Sequence, residues 1–510
     1  MATPGANLAT SLEILKTLQD RGITAIRTSH LTRIHRERLL KNGFLREVMK
    51  GWYIPARPDE QPGESTAWYA SFWSFVADYL NQRFADEWCL SPEQSIAIHT
   101  GDWTVPRQVL LRTPAGGNKP VTLPFGTSIL DARLELPQAR DMEVNEGLRI
   151  YQLPAALIAC SPTNLAARPV IMRAALAGLG DPSELLRRLL DGGHSRIAGR
   201  LVGGLRNIGQ VDTADNILET MRVAGYTVSE FDPFGDLGPV TIRAASAPVH
   251  RLRMLWEKMR TDVLDHFTPP SRGTTDRTSY LRHVDEVYVV DAYNSLSIEG
   301  YRVSAELIER VRSRDWNSDT VEADRNPRDA LAARGYWQAF QRVKLSVTKV
   351  LDAQNAGKVV NADHGAWYRE LFAPSVAAGL VNASGLAGYR NGPVFIRRSM
   401  HVPARAEAMR DLVPAFFDLL TNEPEPAVRV VLGHFMFVYI HPYFDGNGRM
   451  GRFMLNVMMA SGGYAWTIVP LEARAEYMAA LEAASAGQNI IPFTQFLDAL
   501  VNSSAEATIT

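Results

Sequence analysis

One string of twelve residues limits most sharply what this chain can become: His441-Pro442-Tyr443-Phe444-Asp445-Gly446-Asn447-Gly448-Arg449-Met450-Gly451-Arg452. An apolar run from Ala427 to Ile440 leads into it with helical character, and a second helical run, Arg449 to Ser461, leads out. Between the two helices the chain must therefore hold an imidazole, a carboxylate, a Gly-Asn-Gly turn and two guanidinium groups.

Each part of the string suits polyphosphate chemistry. Glycines on both sides of Asn447 let several backbone N–H groups point at one place, an anion nest at a helix N-terminus. Arg449 and Arg452 are three apart on the outgoing helix and can fork around phosphate oxygens. Asp445 is a hard oxygen ligand for a Mg²⁺ that bridges phosphates. His441 precedes the nest and can take a proton from an attacking hydroxyl near neutral pH. Taken singly, each part has an ordinary reading: a helix cap, a turn, a pair of solvated arginines. Gly446, Gly448 and Gly451 also fit the dinucleotide Gly-x-Gly-x-x-Gly pattern, but no strand precedes them and the acidic residue is misplaced. The ordered set favours the chemical reading.

Composition sets the outer bounds. The chain has 510 residues, 46% hydrophobic and 21% charged, which excludes disordered, collagen-like and coiled-coil classes. Such a length allows about three domains. The formal net charge is -1, so a nucleic-acid role requires a local patch. Cys89 and Cys160 are too few for a disulfide framework and read as two buried thiols. The N-terminus lacks a basic region followed by an apolar run, and the most apolar stretch, Val430 to Ile440, is far short of the ~20 residues that span a bilayer. The expectation is a cytoplasmic protein without a membrane segment.

Four regions follow from patterning, giving a multi-domain, mainly α chain. Residues 1–60 carry ten Lys or Arg up to Arg57 against four acids. A first helix around Leu12 to Leu18, a turn at Arg27–Leu31 feeding a second short helix, a third helix over Thr32–Asn42 and a hairpin around Met49-Lys50 give the plan of a winged helix-turn-helix. Residues 61–235 mix strands (Val109–Leu111, Pro120–Leu123, Leu148–Tyr151) with helices (Ala155–Cys160, Val170–Leu179, Ser183–Leu190, Ala214–Val223), an α+β middle domain. The Gly- and Pro-rich stretch after Asp232 places a linker at 236–248. Residues 249–510 are helical, with a strand-like Val394-Phe395-Ile396 in a hairpin between Gly392 and Pro403.

The twelve-residue string resembles the signature of the Fic family (filamentation induced by cyclic AMP), His-x-Phe-x-(Asp/Glu)-Gly-Asn-Gly-Arg-x-x-Arg, with Tyr443 at the aromatic third position. The resemblance extends over roughly 249–500 and includes Tyr389–Ile396, which looks like the family's flap hairpin. It implies an all-α Fic core with a β-hairpin flap that transfers AMP from Mg-ATP to a Ser, Thr or Tyr hydroxyl of a target protein. On that resemblance His441 is the general base and Asp445 binds Mg²⁺. Gly446, Asn447 and Gly448 cradle the α- and β-phosphates, and Arg449 and Arg452 hold the β/γ end. Val394, Phe395 and Ile396 register the target by strand addition.

Ser295-Leu296-Ser297-Ile298-Glu299-Gly300 closes the helix expected over Tyr280 to Ile298. By itself Gly300 reads as a helix C-cap. Beside the catalytic string, Ser295, Glu299 and Gly300 resemble the family's inhibitory motif, (Ser/Thr)-x-x-x-Glu-(Gly/Asn). The resemblance implies an inhibitory helix near 280–300 whose Glu299 holds Arg452 bidentately and denies it to the γ-phosphate. In some relatives the same glutamate positions a water that removes AMP.

Leu31 to Ile54, above all Leu39–Arg46 and Lys50–Ile54, resembles AbiEi-like antitoxin and regulator proteins, whose winged helix binds promoter DNA. That implies Arg33, Arg36 and Lys50 as DNA contacts; a solvated, protein-docking face is the alternative. Three readings result: an auto-inhibited protein adenylyltransferase with Mg²⁺ and ATP, a DNA-binding regulator or antitoxin-like protein with a silenced Fic domain, and a Fic enzyme moving another phosphate-containing group. A homo-oligomer stays open.

Overall fold

The structure, a computed structural model, describes residues 4–58, 60, 63–180, 182–235, 246–270, 276–313, 327–386 and 388–509. The chain divides into two units: Met1–Arg251 with Phe395–Val402, and Leu252–Val394 with Pro403–Thr510.

The first unit opens with helix α1 (Pro4–Asp20), strand β1 (Ile26–Arg27), helix α2 (Arg33–Lys41) and strands β2 (Leu45–Met49) and β3 (Trp52–Pro55). Thr32 caps α2 by accepting the His35 N–H, which satisfies a donor with no intrahelical partner. The strands form an antiparallel sheet in the order β1-β3-β2. Gly51, at φ 83°, supplies the left-handed residue of the turn into β3. The short helix expected after Arg27–Leu31 is absent. That stretch turns instead, with the Thr28 N–H donating to the Gly51 carbonyl and the His30 N–H to that of Arg27. Pairing of Ile26 with Tyr53 and of Arg27 with Trp52 makes the start of the stretch a sheet edge. Alternation on β3 sends Tyr53 into a small core with Leu15, Leu31 and Leu39, and Trp52 and Ile54 into a larger one with Trp68, Phe72 and Phe75.

Helix α3 (Thr66–Phe84) supplies the aromatic side of that larger core. Strands β4 (Cys89–Leu90), β5 (Gln108–Thr113), β6 (Pro120–Thr122) and β7 (Ser128–Arg133), with helix α4 (Pro92–His99) after β4, form a sheet in the order β4-β5-β7-β6, in which β5 and β7 run parallel. Strands β8 (Met142–Asn145) and β9 (Leu148–Tyr151) make a separate hairpin. Six helices follow: α5 (Leu153–Ala159), α6 (Pro162–Ala167), α7 (Pro169–Ala177), α8 (Ser183–Asp191), α9 (Ser195–Asn207) and α10 (Val211–Val223). They enclose a third core of Leu157, Ile171, Leu185, Leu201 and Ile217. Cys89 and Cys160 are buried and unbridged, and burial pushes both thiols up to about 12.

Residues 395–402 belong to this first unit although they lie far along the chain. Met400 and Val402 pack on the larger core. The Val105 N–H donates to the Met400 carbonyl, and the Arg398 N–H to Thr66 Oγ1 at 3.1 Å. Glu64, 2% exposed, pairs with Arg397 at 2.9 Å and Arg398 at 3.3 Å. The strand expected at Val394-Phe395-Ile396 has no ladder partner: these residues carry no regular secondary structure, and the chain turns at 397–398. Arg398 takes φ 61° in that turn, and the backbone groups there bond to Thr66 and Val105 rather than across a hairpin.

Of the linker expected at 236–248, residues 236–245 lie outside the described residues, and Ala247 and Pro248 already open helix α11 (Ala247–His266). The helices of the second unit are the part of α11 from Leu252 on, α12 (Arg277–Ile298), α13 (Ala305–Ser313), α14 (Pro327–Leu351), α15 (Ala356–Ala377), α16 (Met409–Asn422), α17 (Pro426–Ile440), α18 (Asn447–Gly462), α19 (Arg474–Ser485) and α20 (Ile491–Ile509). Helix α17 is apolar on nearly every face, and such a helix belongs in a core. Each large apolar side chain buried there contributes about 1.5–3 kcal/mol. Helix α18 doubles back on it, so that Gly451 lies against Val438 and His434. No helix among the described residues is long and apolar enough to cross a membrane.

Candidate active site

The loop between α17 and α18 carries the twelve-residue string. His441 caps α17 in the left-handed region, φ 55° and ψ 60°, a conformation that costs a non-glycine residue roughly 1–2 kcal/mol. Its Nδ1 lies 3.0 Å from the Val438 carbonyl. A carbonyl only accepts, so Nδ1 carries the proton and Nε2 is left as an acceptor. Burial pushes the imidazole down to about 4, with the positive charge of Arg390 adding to it and the Val438 bond, Glu299 and Asp445 opposing. The ring is therefore neutral at physiological pH.

The rest of the loop is held by its own residues. Asn447 turns inward, accepting the Tyr443 N–H at 3.0 Å and donating to the Tyr443 carbonyl at 2.8 Å. The Tyr443 ring stacks on Tyr368 with centroids 3.7 Å apart, so the aromatic third position anchors the loop in the core. Gly446 has φ 80°, and a Cβ there would meet the Phe372 ring at 2.8 Å, so a side chain is excluded both by conformation and by space. Asp445 accepts the Gly446 N–H at 2.6 Å through Oδ1. Its side chain is 66% exposed, and Oδ2 lies 3.4 Å from Arg449. No group of three or more His, Cys, Asp or Glu among the described residues is arranged to hold a metal alone. A single exposed carboxylate fits a cation that takes its other ligands from water and a phosphate.

The last turn of α12 meets the first turns of α18. Arg452 donates from Nε to Ser295 Oγ at 2.9 Å, and from Nη2 to the Ser295 carbonyl at 2.9 Å and to Glu299 Oε1 at 2.7 Å. The carboxylate therefore makes one bond and the serine two, where the sequence led us to expect a bidentate carboxylate clamp. Nη1 of Arg452 is buried with no partner among the described residues. Burial opposes charge on Glu299, but Arg452 and Arg449 outweigh it and hold the carboxyl below its usual range. The converse holds for Arg452, which Glu299 keeps protonated against burial. A Cβ on Gly448 would come within 2.2 Å of Glu299 Oε1, so the carboxylate lies directly on the N-terminus of α18. Gly300, at φ 88°, ends α12 and lets the Tyr301 N–H donate back to the Leu296 carbonyl.

The structure thus brings together His441, Asp445, Gly446, Asn447, Gly448, Arg449, Arg452, Ser295, Glu299 and Gly300. Of the flap residues, Val394 ends a segment of the second unit, whereas Phe395 and Ile396 fall in the first. Arg33 is exposed and paired with Glu37 at 2.6 Å, Arg36 lies over the Tyr53 ring, and Lys50 is exposed at the turn between β2 and β3. Several contributors carried no sequence signal. Tyr301 and Phe372 sandwich the Arg449 guanidinium, each ring centroid 5.1 Å from it. His434 bonds Tyr477 at 2.7 Å behind Arg452. Asp291, one turn before Ser295, is buried and accepts from Tyr336 and Trp466.

Residues 365–459, spanning most of α15 to most of α18, match the Fic/DOC family. Several of the curated relatives are named protein adenylyltransferase. The chain is similar to "Protein adenylyltransferase fic-1" of Caenorhabditis elegans, 26% identical over 297 residues that cover 58% of this chain and 54% of the relative. It is also similar to "Protein adenylyltransferase Fic" of Nematostella vectensis, 37% identical over 113 residues, 21% of this chain and 26% of the relative. The chain thus spans about half or less of the length of these curated relatives. Among solved structures, "Fic-1 (aa134 - 508) from C. elegans" is 18% identical, with a TM-score of 0.38 over 68% of this chain and 97% of that one.

Proposed function

We propose that the second unit transfers AMP from ATP to a Ser, Thr or Tyr hydroxyl of a target protein and that Glu299 restrains it. The observation that carries this reading is the state of His441. A neutral imidazole, pinned through Nδ1 and open at Nε2, stands beside a glycine-bounded helix N-terminus and two buried guanidiniums. Nε2 accepts the proton of the target hydroxyl while its oxygen forms a bond to the α-phosphorus of ATP. The bond from that phosphorus to the bridging oxygen breaks, and pyrophosphate leaves with the electron pair.

The chain's own groups supply positioning and charge, which dominate such transfers. Gly446 shapes the cradle, its own N–H being held by Asp445, while the backbone N–H groups of Asn447 and Gly448 receive the α- and β-phosphates, and Arg449 and Arg452 the β/γ end. Asp445 would hold a Mg²⁺ ion, which when bound neutralises phosphate charge. Val394, Phe395 and Ile396, which sit in no sheet, are proposed to register the acceptor segment by strand addition. Glu299 restrains the reaction because its carboxylate occupies Arg452 and lies on the nest, where it repels a γ-phosphate. The same carboxylate is suited to orient a water for AMP removal. Residues 1–60 are proposed as a winged-helix recruiting module with Lys50 at its tip.

The test is mass spectrometry of lysate treated with Mg-ATP and the Glu299→Gly chain, beside the same chain carrying His441→Ala. An AMP adduct on protein that appears only with His441 present is the expected result. Equal labelling by both, or by neither, sinks the reading.

A further inference from the structure

Arg390 has no part in the scheme above, yet it touches more of the site's backbone than any residue named so far. It is 3% exposed. Nε donates to the His441 carbonyl at 2.7 Å, and Nη2 approaches the Ile440 carbonyl at 3.5 Å. The Arg390 backbone N–H donates to the Pro442 carbonyl at 2.9 Å. Three consecutive carbonyls around the left-handed His441 are thus bound by one distant residue. A helix leaves its last carbonyls without intrahelical partners, and Arg390 serves those of α17 from outside the helix. Its remaining bonds go elsewhere: Nη1 to the Gly392 carbonyl at 3.1 Å and Nη2 to the Ala404 carbonyl. Gly392 and Ala404 flank the segment that contains Val394.

Burying a guanidinium among carbonyl oxygens is costly, because neutral acceptors return less than a carboxylate would. Burial accordingly pushes Arg390 down to about 10. Simple capping of α17 would need only one or two of these bonds. The full set joins two pieces of backbone that nothing in their sequence links: the loop of the base and both ends of the acceptor-docking segment.

We propose that Arg390 is a positioning residue that fixes the His441 loop against Gly392 and Ala404 within the second unit, so that the base and these two backbone points move as one piece. The proposal rests on the adenylyltransferase reading for its meaning, but its geometry is tested without activity. The groups facing His441 are Arg390 itself, Glu299 at the end of α12 and Asp445 in the loop.

The experiment compares full-length wild type, Arg390→Lys and Arg390→Met. Histidine labelled at Cε1 is titrated by NMR, and the His441 signal is assigned by its loss in His441→Ala. In the Met variant, release of the clamp and loss of the Arg390 charge both raise the midpoint, from near 4 by at least one pH unit; the Lys variant keeps the charge, so its smaller rise reports release of the clamp alone. An unchanged midpoint in the folded Met variant overturns the proposal. If the Met variant does not fold, the Lys variant decides by the same criterion. In the Glu299→Gly background, the KM for Mg-ATP should stay within twofold while kcat for AMP transfer falls tenfold or more, with partial rescue by lysine. A parallel loss of nucleotide affinity would make Arg390 merely structural and also overturns it. Should Glu299→Gly itself transfer no AMP, the functional reading fails while the NMR titration still decides the role of Arg390.

Discussion

Glu299 Oε1 lies 2.7 Å from Arg452 Nη2 and directly over the Cα of Gly448, so one carboxylate both occupies a guanidinium and covers a helix N-terminus. A charged hydrogen bond is worth about 1.5–3 kcal/mol. Removing it makes Arg452 available to a phosphate by roughly ten- to a hundredfold. Glu299→Gly is therefore expected to raise incorporation of label from α-labelled ATP by at least about tenfold. Equal incorporation by the two proteins would falsify the restraint.

Ser295 accepts two of the three bonds described above from the Arg452 guanidinium, one of them through its hydroxyl. Ser295→Ala leaves Nε buried without an acceptor, at a cost of about 1–3 kcal/mol. A lower urea midpoint is expected, together with a rise in AMP transfer smaller than that of Glu299→Gly, since the carboxylate stays. A rise equal to or above that of the glutamate variant would show that the hydroxyl, and not the carboxylate, is the restraint.

On the proposed reading His441→Ala removes the acceptor of the hydroxyl proton, a contribution of about 10²–10⁴ in rate. In the Glu299→Gly background the double variant should lose transfer by that factor while binding Mg-ATP with unchanged affinity by calorimetry. Retained transfer would remove the imidazole from the reaction.

Burial pushes the Asp291 carboxyl up to about 6, although Tyr336 and Trp466 donate to it. The folded chain keeps this proton to a higher pH than the unfolded chain does. Between about pH 4 and 6 the folded state holds more protons, so this group's contribution to stability falls as pH rises through that window and is level above it. His434 and His441 act with the opposite sign, because burial holds both near 4 while the unfolded chain takes up protons below about 6.5. Comparing wild type with Asp291→Asn cancels the imidazoles. From pH 4 to 7 the variant should gain on wild type by on the order of 3 kcal/mol in urea unfolding. A difference that does not change with pH would mean that Asp291 is ionised throughout.

The helices around the site were legible because each begins or ends on a local rule. The apolar face pattern marks α17, Gly446 and Gly448 mark the start of α18, and Gly300 marks the end of α12. The acid and base groups were legible because they lie within twelve consecutive residues. What joins them was not. Arg390, Tyr301 and Phe372 reach the loop only through tertiary packing, and a lone arginine or aromatic residue has no spacing to betray it. The missing short helix near Arg27–Leu31 shows the same limit. Turn residues that suit a helix start also suit a sheet edge, and the pairing of Ile26 with Tyr53 decides between them. Val394-Phe395-Ile396 read as strand because β-branched and aromatic residues favour extended backbone, but they form no ladder, and the Ile396 carbonyl instead accepts the Ser399 N–H of the turn that follows.

The placement of residues 395–402 bears on how the protein can be dissected. Met400 and Val402 fill space on a core built from residues between Ala25 and Ile150, and Glu64 is neutralised by Arg397 and Arg398. A truncation at residue 251 would therefore strip the N-terminal fragment of a plug it cannot replace and leave Glu64 without its counter-ions. The C-terminal fragment would carry the same eight residues with their apolar side chains bare. Expression trials that trim this chain by linear position should yield sticky halves, and supplying 395–402 as a separate peptide is the rational way to rescue the first of them.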